Sequence, residues 1–531
     1  METDPFLFDR VPKPFLIGFY DGEIYQEFTT ARPLLDYIQT REPLTIYAHN
    51  GGKFDFHFIV EHIPPYTEYI IINGKVISFP FGQHEFRDSV AILPIALEEY
   101  QKTKIDYSWF ELSERERHMP EIRAYLKSDC VNLYKLIIQF VRDYGEKLTL
   151  ALSALNYWRG TTEPENKRGI NSSRYFFSRL KPYFYGGRVQ AFEKGVFKQR
   201  TRIYDINSAY PYAMTQKHPF GTEYRVISGP DPRGFQAHCF YLIEATSNGI
   251  MPVREIHKLN YSAERGIFFA TGHEILAGLA TKTLDIHAVH ESIIFNRTID
   301  FKVYVDYFYA IKRSAARNSA PYIFAKLLMN SFYGKLAADP EHYNHYQSIP
   351  ARKIRVFKTK GWEYGGLITE NVALMSRPLE RREHHYYNLA TAASITGCVR
   401  AMLWLAICRL RAKGNIVYYC DTDSIITDGK LNISDNLGGW KLEQENDILA
   451  IAERKLYAAR QAKPIKSRTG HATTERDTKA RKWKIASKGA QLTARQICHI
   501  ASGGTVNYDS AAPTFRLGKE PSFVSRVLKR R

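Results

Sequence analysis

Tyr419-Cys420-Asp421-Thr422-Asp423-Ser424 is the stretch on which the reading of this 531-residue chain turns. Five apolar or aromatic residues, Ile416 to Cys420, lead into the first carboxylate, and Ile425 and Ile426 follow the second. Asp428-Gly429 closes the segment, so it reads as strand, tight turn, strand. Carboxylates at i and i+2 project to one side of a hairpin tip. There they repel and raise each other's pKa unless a cation neutralises them. A hard divalent ion such as Mg2+ takes oxygen ligands of this kind. The plainer reading is an acidic turn, because Asp and Ser are common turn residues.

Bulk properties narrow the function. The length predicts several domains. Hydrophobic residues at 44% and aromatics at 14% predict a globular protein. Lys and Arg number 74 against 55 Asp and Glu, a formal charge of +19. A basic surface of that size suits a polyanion, most simply nucleic acid. No amphipathic basic helix stands out to favour a membrane surface. The six cysteines form no CxxC pair, which predicts reduced thiols and not a zinc site or disulfide framework. No apolar run of transmembrane length and no signal peptide is read, so a cytoplasmic protein without a membrane partner is expected.

Along the chain, residues 1–150 alternate short apolar runs with turns and then turn helical, an α/β pattern. Strands are expected at 16–25, 44–49 and 69–79, helix over much of 110–144, and a linker or loop at 159–169. Helices are expected over most of 313–337 and at 400–410. The stretch 463–484 is rich in Lys and Arg and reads as a solvated or nucleic-acid-facing loop.

Two further motifs join the hairpin. Asp205-Ile206-Asn207-Ser208-Ala209-Tyr210-Pro211 follows a strand that delivers Asp205 at its end. In Lys326-Leu327-Leu328-Met329-Asn330-Ser331-Phe332-Tyr333-Gly334-Lys335, residues Lys326, Asn330 and Tyr333 share one helix face. Together these sets meet the needs of nucleotide addition, in which two divalent ions about 3.5–4 Å apart activate a 3′-hydroxyl and stabilise pyrophosphate. Asp205 and Asp423 would hold the ions with Asp421 close by, and Lys326 would face the triphosphate. Tyr333 would pack on the nascent base pair. Tyr210 would lie under the sugar, where a 2′-hydroxyl clashes.

The order D-x-x-S-x-Y-P, K-x-x-x-N-S-x-Y-G, Y-x-D-T-D-S resembles that of family B DNA polymerases. Finer features resemble their protein-primed branch, found in linear-genome phages, adenoviruses and linear plasmids. Thr396 to Arg400 resembles its T-x-x-x-R element, and Leu437-Gly438-Gly439-Trp440-Lys441 follows the hairpin. Lys455-Leu456-Tyr457 resembles its K-x-Y element, and Phe184-Tyr185-Gly186-Gly187 its Y-x-G-G linker with Phe in the Tyr position. The resemblance implies a multidomain α/β and α+β protein: an RNase H-like 3′–5′ exonuclease domain at 1–150, then a right-hand polymerase domain at 151–531. Within the latter it implies a palm at about 170–215 and 390–485, insertions at about 216–304 and 338–389, fingers at about 305–337 and a thumb at about 486–531. It implies catalytic Asp205, Asp421 and Asp423, with Asp205, Ile206 and Asp423 holding two ions, Mg2+ or alternatively Mn2+. Tyr210, Lys326, Asn330 and Tyr333 would bind the incoming dNTP. Gly186, Gly187, Ser208, Ser331, Gly334, Thr396, Arg400, Ser424, Lys441, Lys455, Tyr457 and Lys488 would contact primer–template DNA. A terminal (priming) protein would engage the first insertion, and the second would surround the template.

Upstream, Asn50-Gly51-Gly52-Lys53-Phe54-Asp55 and the pair Tyr125, Asp129, at i and i+4 on a helix, resemble the second and third exonuclease motifs. Lys102 resembles that domain's lysine, and Asp88-Ser89 fits its pattern. The first motif should end a strand in D-x-E-T, yet the chain opens Met1-Glu2-Thr3-Asp4, supplying its Glu at Glu2 but not its Asp. Two-metal hydrolysis needs that carboxylate. Editing is therefore expected to be weakened or absent in this chain, or an in-frame segment ending in Asp to lie upstream. The alternatives to a polymerase are a catalytically silent, polymerase-derived nucleic-acid-binding protein and a chain whose main activity is exonucleolytic.

Overall fold

The computed structural model describes residues 1–100, 104–169, 174–256, 259–261, 264–338, 343–379, 388–463 and 481–530. Lys102 and most of the basic stretch at 463–484 therefore lie outside the described residues. The chain divides into two compact units, each assembled from distant stretches: Met1–Glu163, Asp306–His384 and Asp509–Val524 in the first, Pro164–Val305, His385–Tyr508 and Ser525–Arg531 in the second.

In the first unit a seven-stranded sheet runs in the order Glu363–Thr369, Val372–Pro378, Asn344–Pro350, Glu68–Ile72, Lys75–Phe81, His84–Asp88, Thr45–Ala48. Only its last pair is parallel. The single strand expected at 69–79 is a hairpin. Asn73 and Gly74 sit at φ 52° and 76°, and Ile72 faces Lys75 across a two-residue turn of the primed kind that Asn-Gly favours. Strand Asn344–Pro350 pairs on one side with Val372–Pro378, close in sequence, and on the other with the distant Glu68–Ile72, with Tyr346 opposite Tyr69. The core beneath is aromatic: Phe56, Phe79 and Phe86 are buried, and the last two stack at 5.0 Å. Helices Met119–Tyr144, Leu150–Thr161 and Ala320–Leu336 interlock through Phe140 against Phe324 and Trp158 against Phe332. The linker expected at 159–169 is instead helical, in Leu150–Thr161 and Pro164–Gly169.

The second unit is built on an antiparallel sheet, Trp483–Ser487, Leu456–Gln461, Trp440–Glu453, Thr201–Ile206, Ser424–Thr427, Val417–Asp421, Val189–Ala191, with Gly195–Phe197 also pairing Trp440–Glu453. Helix Leu389–Ala412 packs on it, burying Leu403, Trp404, Ile407 and Leu410 with Val417, Cys420 and Ile425. This 24-residue helix corrects the expectation of no apolar run of membrane length. It is long and apolar enough to cross a bilayer, but 83% of its most apolar window is buried inside the fold. An all-round apolar helix at the centre of a core needs no lipid. A second sheet, His218–Ser228, Leu284–Ile299, Phe240–Ser247, Arg265–Thr271, occupies the first expected insertion, with helix Gly272–Ala280 capped by Thr271 and Glu274. All six cysteines are free thiols.

Two histidines in this unit, His218 buried and His273 half-buried, contribute to its acid sensitivity. The His218 ring lies 2.9 Å from Ser394 Oγ through Nδ1 and 2.7 Å from the Ala213 carbonyl through Nε2, so Nε2–H donates and Nδ1 accepts. Burial pushes His218 down from 6.5 to about 4, and burial beside His218 pushes His273 to about 3. Both stay neutral in the folded protein while the unfolded chain takes up protons below pH about 6.5. Stability is thus present above that pH and lost as pH falls, by about 3 kcal/mol for His218. Thermal melts from pH about 7.5 to about 4.5 should show this loss, with a flatter profile in His218→Asn.

Candidate active site

Antiparallel pairing brings the sequence-distant acids together in the second unit. Asp205, near the end of Thr201–Ile206, faces Ser424 across the sheet. The Ile206 N–H donates to the Asp423 carbonyl at 2.9 Å. The turn between Asp421 and Ser424 is tight, with Asp423 N–H on the Asp421 carbonyl at 2.6 Å and Thr422 left-handed at φ 60°. Burial, then the charges of Asp423 and Glu443, push the Asp205 carboxyl up to about 7. Burial, then Asp421 and Glu443, push Asp423 up to about 6. Neither acid is ion-paired among the described residues. Nearby Lys484 and Lys441 offset only part of the push on Asp205, and Lys455 only part of that on Asp423, and two crowded carboxylates without a direct ion pair are the donor set a divalent ion relieves. Among the described residues no three His, Cys, Asp or Glu side chains converge on one point. Any further protein oxygen must come from backbone, and Ile206, a hydrocarbon side chain, could serve only through its carbonyl.

Asp421 is differently placed. Lys455 Nζ lies 3.3 Å from both its oxygens, the Tyr419 hydroxyl donates to it at 3.2 Å, and the Thr422 hydroxyl at 3.1 Å. Lys455 is left-handed at φ 55°, and its N–H donates to the Tyr419 hydroxyl at 2.9 Å. Tyr457 is buried with its ring 5.1 Å from that of Tyr419. Lys488 pairs with Glu453, and its N–H donates to the Lys455 carbonyl at 2.8 Å.

Two residues near the acids escape sequence reasoning. Glu443 acts on both Asp205 and Asp423 and is held by Lys484 at 2.6 Å and Lys441 at 3.7 Å. It lies at the bulge where the register between Ile203 and Tyr204 slips, and a bulge re-aims a side chain. Only the alternation Lys441, Glu443, Glu445 signals it. Asn207, beside the Asp205 strand, donates through its amide to the Asp435 and Asn436 carbonyls at 2.9 and 3.2 Å. Its backbone pairs with Gly438 and Gly439. Ser208 follows at φ 55° and opens helix Ala209–Met214, which carries Tyr210, half-buried.

The linker motif shapes the hairpin from the other side. Thr422 N–H donates to the Arg188 carbonyl at 2.6 Å, and a Cβ on Gly187 would sit 2.8 Å from the Thr422 side chain. The Arg188 guanidinium is buried between the Tyr261 and Trp404 rings, 4.1 and 4.3 Å from their centroids, and bonds Gln190 and the Gly249 carbonyl. Thr396 and Arg400, expected to touch DNA, are buried in helix Leu389–Ala412 at 2% and 3% exposure. Thr396 donates to the Ala393 carbonyl; Arg400 pairs with Glu274 at 2.8 Å and donates to the Tyr185 and Gly186 carbonyls at 2.6 and 3.0 Å. Both are buried, so as placed Arg400 holds the linker, Thr396 bonds back within its own helix, and neither presents its polar group to a phosphate. Ser424 Oγ bonds the Asp421 carbonyl, Lys441 is exposed, and Gly186 is exposed.

In the first unit, helix Ala320–Leu336 presents Lys326 and Asn330 to solvent with Tyr333 half-buried on the same face, while Leu328 and Phe332 are buried. Asn330 Nδ2 donates to the Lys326 carbonyl at 2.7 Å, Ser331 Oγ bonds the Leu328 carbonyl, and Gly334 is exposed. Glu2, Asn50, Asp55, Tyr125 and Asp129 line one cavity of about 790 Å3 in that unit, with Phe6, Phe54 and Tyr107. The Met1 ammonium lies 3.4 Å from Asp55. Asp88, buried, accepts from Gly52 N–H and Val90 N–H. Gly52 has no room for a side chain, since a Cβ would meet the Val76 carbonyl at 2.0 Å.

A family model described as DNA polymerase type B, organellar and viral, matches residues 95–360. The DNA-directed DNA polymerase of Enterobacteria phage PRD1 is 36% identical over 556 aligned residues, spanning 99% of this chain and 96% of that one. Phi29 DNA polymerase in an orthorhombic crystal form superposes with a TM-score of 0.74 at 17% identity, covering 100% of this chain and 98% of that one. The same phage enzyme complexed with primer–template DNA and incoming nucleotide gives 0.71 at 17% identity, with 100% and 98% covered. At that identity the likeness is one of fold, and it extends over the whole chain.

Proposed function

The chain belongs to the family B DNA polymerases of the protein-primed type and is a DNA-directed DNA polymerase, and from that premise we propose where and how it works. Asp205 and Asp423, with the Ile206 carbonyl, hold two divalent ions, Mg2+ or Mn2+. When bound, these supply charge to the primer 3′-hydroxyl and the leaving pyrophosphate. Asp421 adds negative charge beside them. Lys326 and Asn330 face the triphosphate, Tyr333 packs on the nascent pair and Tyr210 closes the space under the sugar. Gly186 and Gly187 guide DNA past the hairpin. Ser208, Ser331, Gly334, Ser424, Lys441, Lys455, Tyr457 and Lys488 contact the primer–template along the palm and fingers. Arg400 acts through the linker it holds, and Thr396 from within the helix that carries Arg400. The observation that carries this reading is the pairing of Asp205 with the 421–424 hairpin, which brings two half-buried acids with raised pKa values side by side.

The functional division we adopt is an editing domain at 1–150 and a polymerase domain at 151–531. The cavity lined by Asn50, Asp55, Tyr125 and Asp129 takes a single-stranded 3′ end. Replication starts on a terminal protein inside the host cell, on a linear viral or plasmid genome. A silent nucleic-acid binder is not favoured, because Asp205, Asp423, Lys326 and Tyr333 are all in place. The test offers the purified chain a primed template and, separately, a candidate priming protein with one labelled dNTP. Extension plus label on the protein supports the reading; DNA binding without either sinks it.

Tyr210→Ala should erode sugar selection by tens-fold or more, on the order expected when a steric wall is removed. The ratio of kcat/KM for a dNTP over its rNTP is the readout, and unchanged discrimination would remove Tyr210 from that role.

A further inference from the structure

An exposed lysine that neutralises a carboxylate beside the cation-binding acids is a feature polymerisation alone does not require. Lys455 does this to Asp421, at 3.3 Å from both oxygens, while its side chain stays 59% exposed. It sits at the turn between Trp440–Glu453 and Leu456–Gln461 in a left-handed conformation, φ 55°. Lys488, φ 51°, bonded to it through the backbone, has the same conformation and its own acid, Glu453. Non-glycine residues are held in that region at a cost, and such residues gather at functional sites. In the site proposed above, Asp421 flanks Asp423 where the primer end would lie, and Lys455 is the cation already in contact with that acid.

We infer that the Lys455–Asp421 ion pair is a latch that links primer occupancy to the cation site, an inference that rests on the site proposed above. Without DNA, Lys455 cancels the Asp421 charge. A primer phosphate draws Lys455 away, Asp421 recovers its full charge beside Asp423, and the site binds divalent cations more tightly. The linkage is reciprocal: cations must tighten primer binding by the same factor. No bond is made or broken covalently; one ion pair is exchanged for another. The Tyr419 and Thr422 hydroxyls keep the Asp421 carboxylate in place during the exchange.

The test measures Mn2+ affinity by electron paramagnetic resonance, with and without a dideoxy-terminated primer–template and with no nucleotide. Only the Mn2+ whose binding is lost in Asp423→Asn is counted. In wild type the duplex should tighten that binding about fivefold or more, the lower end of ordinary coupling. In Lys455→Met the DNA-free protein should already bind at the tightened level, with the duplex adding less than about twofold. Lys430→Met removes an equal charge from an exposed lysine three residues beyond the hairpin strand Ser424–Thr427, without an Asp421 contact, and should keep the wild-type response. A wild-type response in Lys455→Met, or an equal loss in Lys430→Met, overturns the latch while leaving the cation site standing. Mn2+ binding indifferent to both Asp205→Asn and Asp423→Asn overturns the site, and the latch with it.

Discussion

Asp423→Asn is expected to lower primer extension in Mg2+ by about 1,000-fold or more while leaving duplex affinity within about threefold of wild type. The magnitude follows from the charge that would be lost. A divalent ion stabilises several kcal/mol of transition-state charge, and each 1.36 kcal/mol is about tenfold in rate. Asp423 and Asp205 share that load, since the pairing of Thr201–Ile206 with Ser424–Thr427 places them together and each is pushed upward by burial and neighbouring acids. The amide keeps the shape of the carboxylate and removes its charge, so folding should survive. In the unliganded protein the substitution even relieves repulsion, and Asp423→Asn should melt at or above the wild-type temperature. A variant that melts normally, binds duplex and extends it at the wild-type rate would contradict the assignment. Equal loss in Asp205→Asn is expected, because neither acid holds the cation pair alone.

Glu274→Met is expected to destabilise the protein by about 3–5 kcal/mol, as is Arg400→Met. Both side chains are at most 2% exposed and lie 2.8 Å apart, so removing one leaves the other's charge buried without its partner. The pair is also a joint between elements. Glu274 accepts from Thr271 at the start of helix Gly272–Ala280, and Arg400 holds the Tyr185 and Gly186 carbonyls of the linker. The double variant Glu274→Met, Arg400→Met should cost clearly less than the two single losses combined, because no charge is stranded. It should still fall below wild type, since the linker carbonyls lose their donor. Denaturant unfolding of the four proteins provides the cycle. Additive single losses would mean that the two groups act independently.

Much of the site was legible in local pattern. The apolar runs flanking Asp421 and Asp423 gave strand, turn and strand, and the i, i+4, i+7 spacing of Lys326, Asn330 and Tyr333 gave their common face. Burial was harder to read. Arg400 is expected at DNA through its resemblance to the T-x-x-x-R element, and only Glu274, 126 residues upstream, shows it to be half of an internal pair. Long-range pairing was harder still. Tyr346 joins Tyr69, and nothing in the periodicity of either strand specifies a partner so distant in the chain. Glu443 reaches the acids by way of a bulge, which shifts register by one residue and defeats simple alternation. The Asn73-Gly74 turn was there to be read, a strong hairpin signal inside an apolar run.

The central claim is that Asp205 and Asp423, carried on paired strands, jointly hold the catalytic cations. The measurement that meets it most directly is anomalous scattering from Mn2+ in crystals of the chain with primer–template and an unreactive dNTP analogue. Peaks about 2.1 Å from oxygens of both carboxylates, shared with the nucleotide phosphates, are what the account predicts. A bound nucleotide with its cations coordinated elsewhere, and both carboxylates bare, would contradict it.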